Sequence, residues 1–169
     1  STLRWKNLSF GFLIDVRYGG DVYLQSMMRL QSNGQTKETV AGREEYYTTG
    51  KGLISQGVNV NTGLPNTVEL DPTTYWGQFY GNIGNYIYDT TNVRLRELNL
   101  TWTLPDKWFA KTIIRGLKLS AVANNVCFLY NNLPGFDPEC TYSTGNGQGI
   151  ETASLPSTRS FGFNLNVTF

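Results

Sequence analysis

Ser160-Phe161-Gly162-Phe163-Asn164-Leu165-Asn166-Val167-Thr168-Phe169 has an apolar residue at almost every second position. Successive side chains leave a strand on opposite sides, so this period of two predicts a strand with one apolar face. Three other segments carry the same pattern. Leu8, Phe10, Phe12, Ile14 and Val16 share one face, opposite Asn7, Ser9, Gly11, Asp15 and Arg17, with Leu13 as the exception. Leu98, Leu100, Trp102 and Leu104 oppose Glu97, Asn99, Thr101 and Thr103. Leu117, Leu119, Ala121 and Ala123 oppose Lys118, Ser120, Val122 and Asn124. None of the four apolar faces carries a charge.

Composition agrees with an all-β chain. Tyr (10), Phe (9), Trp (4) and Gly (18) are abundant, and charged residues make up only 16%. The 169 residues would by length alone form one domain. A net charge of +1 gives no reason to expect nucleic acid as a partner. The chain has no His, which excludes Ser-His-Asp, Cys-His and His-metal chemistry within it. Its two cysteines, Cys127 and Cys140, cannot build a four-thiolate metal site. They could pair in an oxidising compartment, but spacing does not decide this. The longest unbroken apolar run, 126–130, is far short of a membrane-spanning helix, although a barrel strand needs only about 9–11 alternating residues. Ser1-Thr2-Leu3-Arg4-Trp5 has no signal peptide and reads as the start of a fragment.

The connections between the four segments are unequal. Only 105–113 separates the second from the third, whereas roughly seventy residues separate the first two and about thirty the last two. Long, short, long is the asymmetry of an outer-membrane barrel, with long extracellular loops and short periplasmic turns. Within the first long connection, Asp21 is a candidate cap for a helix over 22–31 ended by Asn33-Gly34. Asp71-Pro72 marks a second helix start, leading into Tyr75-Trp76-Gly77-Gln78-Phe79-Tyr80. Residues 58–65 read as turn.

Several motifs then occur in a specific order. Arg17-Tyr18-Gly19-Gly20-Asp21-Val22-Tyr23 follows the first alternating segment. Val93-Arg94-Leu95-Arg96-Glu97-Leu98 leads into the second and ends at Leu104-Pro105. Asn125, Gly135-Phe136-Asp137-Pro138-Glu139, Pro156-Ser157-Thr158-Arg159-Ser160-Phe161-Gly162-Phe163 and the terminal Phe169 complete the series. Together they resemble the C-terminal end of SusC/RagA-type TonB-dependent transporters of Bacteroidetes outer membranes. Thr101-Trp102 stands where that family often has Gly-Tyr, and Cys127 where a larger or hydroxyl residue is common.

The resemblance implies the last four antiparallel strands of a 22-stranded transmembrane β-barrel with a plugged lumen. The strands would cover about 4–17, 93–104, 114–128 and 158–169. Extracellular loops containing short helices would cover about 18–92 and 129–157, and a periplasmic turn 105–113. It further implies no enzyme and no cofactor, but an active importer of oligosaccharide or peptide nutrients in the cell outer membrane. TonB would act through the missing N-terminal part, beside a plug and the rest of the barrel, and a SusD-like surface lipoprotein would form a lid.

Candidate residues follow from chemistry. Tyr75, Trp76, Phe79, Tyr80, Tyr86 and Tyr88 can stack on sugars, contact a lid protein or simply pack the loop. Phe136 and Asp137 lie in the second long loop as further ligand or lid-contact candidates. Asp137 and Glu139 could bind Ca²⁺, but such a turn is more commonly structural, and no metal is expected. Phe161, Phe163, Leu165, Val167 and Phe169 resemble the C-terminal signal read by barrel-assembly machinery, which an edge strand can offer by strand addition. Val93, Leu95, Val126 and Phe128 have the parity of the polar side. A bulge would explain this switch. We read it instead as strands projecting beyond the lipid, because two neighbours switch at one height. Two competing readings are a soluble carbohydrate-binding β-sandwich and a passive porin.

Overall fold

The computed structural model describes residues 1–139 and 145–169, so Cys140 and any pairing with Cys127 lie outside the described residues. Its strands are β1 (Thr2–Trp5), β2 (Leu8–Arg17), β3 (Asp21–Leu24), β4 (Leu53–Ile54), β5 (Glu69–Leu70), β6 (Ile87–Asp89), β7 (Asn92–Thr103), β8 (Gly116–Asn131), β9 (Ile150–Glu151) and β10 (Ser160–Thr168). The α-helices are α1 (Gln25–Ser32), α2 (Arg43–Thr49) and α3 (Pro72–Gly77). Two units result. One takes residues 1–20, 89–139 and 155–169, the other 21–88 and 145–154.

The first unit is an antiparallel sheet in the order β1-β2-β7-β8-β10. It has five strands, not the four expected. The segment expected as one strand over about 4–17 is a hairpin, because Lys6 adopts φ +52° and turns the chain between Trp5 and Leu8. Paired residues lie side by side on one face. Leu3 therefore joins Phe10, Leu100, Ala121 and Phe163, while Arg4 joins Ser9, Thr101 and Ser120. All the long connections leave the end marked by Arg17, Asn92, Asn131 and Ser160. The short ones, after Trp5 and Thr103, lie at the other.

Both ladders are irregular where the phase switches, β8 also shifting register against β7 between Asn124 and Cys127 and between Phe128 and Tyr130. In β7 the switch is a bulge. Leu13 pairs with Glu97 but Ile14 pairs with Leu95, so Arg96 is the extra residue. Leu95 and Val93 thereby stay on the apolar face with Ile14 and Val16, and Arg96 reaches the polar side. The projecting-strand reading is thus corrected for Val93 and Leu95. In β8, Phe128 does sit on the polar face opposite Arg94. At 16 residues β8 reaches roughly 50 Å at about 3.3 Å per residue, more than an apolar band of about 25 Å requires.

The second unit holds most of the buried apolar side chains, Val22, Leu24, Met28 and Tyr86 among them. The helix expected over 22–31 is shorter. Residues 21–24 are extended, with Tyr23 and Leu24 pairing in parallel with Ile150 and Glu151, and α1 begins at Gln25. Asp21 caps nothing. The Glu151 carboxylate serves α1 instead, accepting from the Ser26 amide (3.2 Å) and hydroxyl (2.9 Å). The Asn33-Gly34 stop is present, with Gly34 at φ +73°. So is the cap on α3, where Asp71 Oδ1 accepts from the Thr74 amide at 3.0 Å and Pro72 occupies the first turn. Residues 58–65 form a turn closed by a Val58–Pro65 bridge.

Candidate functional site

The loop aromatics divide into two groups. Tyr75, Trp76 and Phe79 lie on and just beyond α3, so they pack on one another with ring centroids 5.0, 5.3 and 5.9 Å apart. Trp76 also lines a cleft of about 380 Å³ with Arg43, Tyr47, Asn33 and Thr73. Its Nε1 is buried without a hydrogen-bond partner among the described residues. Arg43 donates to the Gly34 carbonyl and to Thr39 Oγ1 at 2.7 Å, which positions it at the cleft. Tyr80 is exposed and Tyr88 half-buried. Tyr86 differs from the rest. It is 1% exposed and donates to Gln31 Oε1 at 2.7 Å, so it is core and offers no ring to a ligand.

In the sheet unit, the polar face near the long connections carries a network of charges. Arg94 is 2% exposed. It donates to Asp137 Oδ2 at 2.8 Å and Glu139 Oε2 at 2.7 Å, and its guanidinium lies 4.0 Å from the Phe128 ring centroid. Arg96, turned by the bulge, donates to Asp15 at 2.8 and 3.0 Å, to Asn125 Oδ1 at 3.2 Å and to both Glu139 oxygens. Asp137 also accepts from the Glu139 amide at 3.0 Å, the Ser157 amide at 3.0 Å and the Ser157 hydroxyl. Burial pushes the Asp137 carboxyl up, but the hydrogen bonds from Ser157, the Glu139 amide and Arg94 outweigh it and hold the group below its ordinary value.

This geometry makes Asp137 a brace rather than a ligand contact. It joins the segment after β8 to Ser157 and to β7. Phe136 is half-buried, its carbonyl held by Asn131 Nδ2 at 2.9 Å. Asn125, at φ +51°, bridges Arg96 to the Thr158 carbonyl. A cleft of about 480 Å³ opens beside the network, lined by Phe128, Phe136, Ser157 and Arg159 among others. The roles of Arg94 and Arg96 were missed in the sequence. A signal existed, two arginines flanking Leu95 at the phase break, but their carboxylate partners lie more than forty positions away.

Phe161, Phe163, Leu165, Val167 and Phe169 lie at one edge of the sheet. β10 pairs with β8 along its whole length and is a terminal strand of the sheet. Phe163 is 88% exposed and Phe169 73%, whereas Val167 is half-buried.

No family model matches the chain. It is 25% identical over 173 aligned residues to TonB-dependent receptor P3 of Formosa agariphila, covering 99% of this chain and 15% of that protein. The structure matches the RagAB peptide importer in its closed-closed state with a TM-score of 0.65 and 19% identity, covering 98% of this chain and 16% of that one. Against the open-open state the TM-score is 0.60. The chain therefore spans about one-sixth of the length of the proteins it matches. Along nearly its whole length it is similar in sequence to a TonB-dependent receptor and shares its fold with a segment of the RagAB structures.

Proposed function

We propose that this chain is barrel wall of a TonB-dependent importer in an outer membrane. The observation that supports this best is that no apolar residue within β1, β2, β7, β8 or β10 is buried. A face of Leu3, Trp5, Phe10, Leu100 and Phe163 without a charge is suited to lipid. The opposite, polar face is suited to a water-filled or plugged lumen. The segments 18–92 and 129–157 are then extracellular, 105–113 is periplasmic, and β1 and β10 pair with further strands of a longer, 22-stranded chain.

The whole protein would take up peptide or oligosaccharide fragments with a SusD-like lipoprotein, driven through TonB. The relatives named as a TonB-dependent receptor and a peptide importer support this. Tyr75, Trp76, Phe79, Tyr80 and Tyr88 are the loop residues offered to solute or lid. The C-terminal alternation ending at Phe169 serves as the assembly signal. In the full-length protein, we expect fractionation with outer membranes and heat-modifiable migration in detergent. A monodisperse protein without detergent would restore the sandwich reading. Phe169→Ala should lower outer-membrane levels, measured by quantitative immunoblot, and unchanged levels would remove its assembly role.

A further inference from the structure

At the end with the short turns, the polar face of the sheet forms a cleft of about 470 Å³ lined by Arg4, Lys6, Ser9, Thr101, Thr103 and Lys118. Arg4 pairs with Ser9 and Lys118 with Thr103, which puts both on the polar side. No carboxylate lines the cleft. Among the described residues none of the three cations makes an ion pair, and Lys6 has only the Trp5 ring, 5.0 Å away. The adjoining turn adds Lys107, Lys111 and Arg115 against Asp106 alone. Exposed charges of one sign on one side of the sheet raise the local concentration of anions.

We propose that this cleft is an oxyanion site in which Arg4 and Lys118 hold a carboxylate, with Lys6 at its rim in the β1–β2 turn. Arg4 supplies a planar fork that can grip both oxygens, and Lys118 supplies a point charge. The carboxylate comes from a free solute or from an acidic side chain of the longer polypeptide. The site lies within one sheet and does not depend on the transport reading, although a lumen-facing polar side would put it on a solute's path.

Residue-resolved amine labelling of the full-length protein in detergent tests it, with exposed Lys107 and Lys111 as internal references and citrate as the probe at matched ionic strength. If solute fills the site, Lys118 labels freely without citrate. Citrate then slows it about tenfold relative to the references, an effect lost in Arg4→Gln. If an acidic side chain fills it, Lys118 is already slow, and a carbodiimide links it to an Asp or Glu of the same chain. Labelling at the reference rate with and without citrate, and no carbodiimide link, overturns the proposal. Heat-modifiable migration of Arg4→Gln confirms that the variant folds. Membrane fractionation reports on the barrel reading separately, since a soluble product would end that reading while the labelling still decides the site.

Discussion

The two ends of one polar face treat positive charge in opposite ways. Near the long connections, Arg94 and Arg96 are each matched to carboxylates, two of them contributed by the Asp137-Pro138-Glu139 turn. Near the short turns, Arg4, Lys6 and Lys118 have none among the described residues. A buried guanidinium must be compensated where it stands, because desolvation is costly. An exposed ammonium can wait for a partner from outside. The first end is a self-contained brace, whereas the second is suited to receive something.

That contrast is broken most strongly at Arg94. Arg94→Ala leaves Asp137 buried and unpaired and should cost about 3–5 kcal/mol. The loss would appear as rapid proteolysis or hydrogen exchange in 133–139 and 155–159. Unchanged protection there would show that the network does not hold the loop. Leu100→Arg tests the face that both ends share. In lipid it should cost about 2–4 kcal/mol of folding free energy if Leu100 lies near mid-bilayer, measured by denaturant titration in vesicles. No penalty would count against lipid contact.

Acidification separates the two ends. The folded-state pKa of Asp137 is depressed, so its stabilisation is present above the ordinary value of 3.8 and is lost as pH falls through the lower folded value. Exchange in 133–139 should therefore rise only below about pH 4. Exchange at the short-turn end, whose cleft is lined by no carboxylate among the described residues, should hardly respond unless an acidic side chain of the longer polypeptide fills the cleft. A loop that loosens already near pH 6 would point to another group. The smallest effect belongs to Asp15→Asn. The Arg96–Asp15 pair is half exposed on the Asp15 side, and its loss should cost about 0.2–1 kcal/mol. A cost near that of Arg94→Ala would mean that the network acts as one cooperative unit.

Much of the sheet was legible because alternation is local. The apolar sides of β2, β10, β7 from Glu97 onward and β8 up to Asn124 follow from counting every second residue, and Asp71-Pro72 announces its helix through its own cap. The failures were also local signals, overruled by pairing. Asp21 has a capping side chain, but pairing of 21–24 with Ile150 and Glu151 draws that stretch into an extended form. Lys6 lacks the Gly or Asn usual for a left-handed turn, so the β1–β2 hairpin was hidden inside one long strand. Tyr86 looked like its aromatic neighbours, and only packing shows that it is core.

The sequence by itself determined which residues can share an apolar, charge-free face, since the period of a strand follows from backbone geometry. It also determined that Ser-His-Asp, Cys-His and His-metal chemistry are excluded within this chain, since it has no His. Only the tertiary structure decided how the charges are distributed. A net charge of +1 is a sum over the whole chain and hides a sheet unit that carries the positive excess and a second unit that carries the negative one. Within the sheet unit, the contrast between the two ends arises from a one-residue bulge at Arg96 and from ladder registers that join residues far apart in the chain. Coulomb energy depends on distance in space, which the order of residues along the chain does not record.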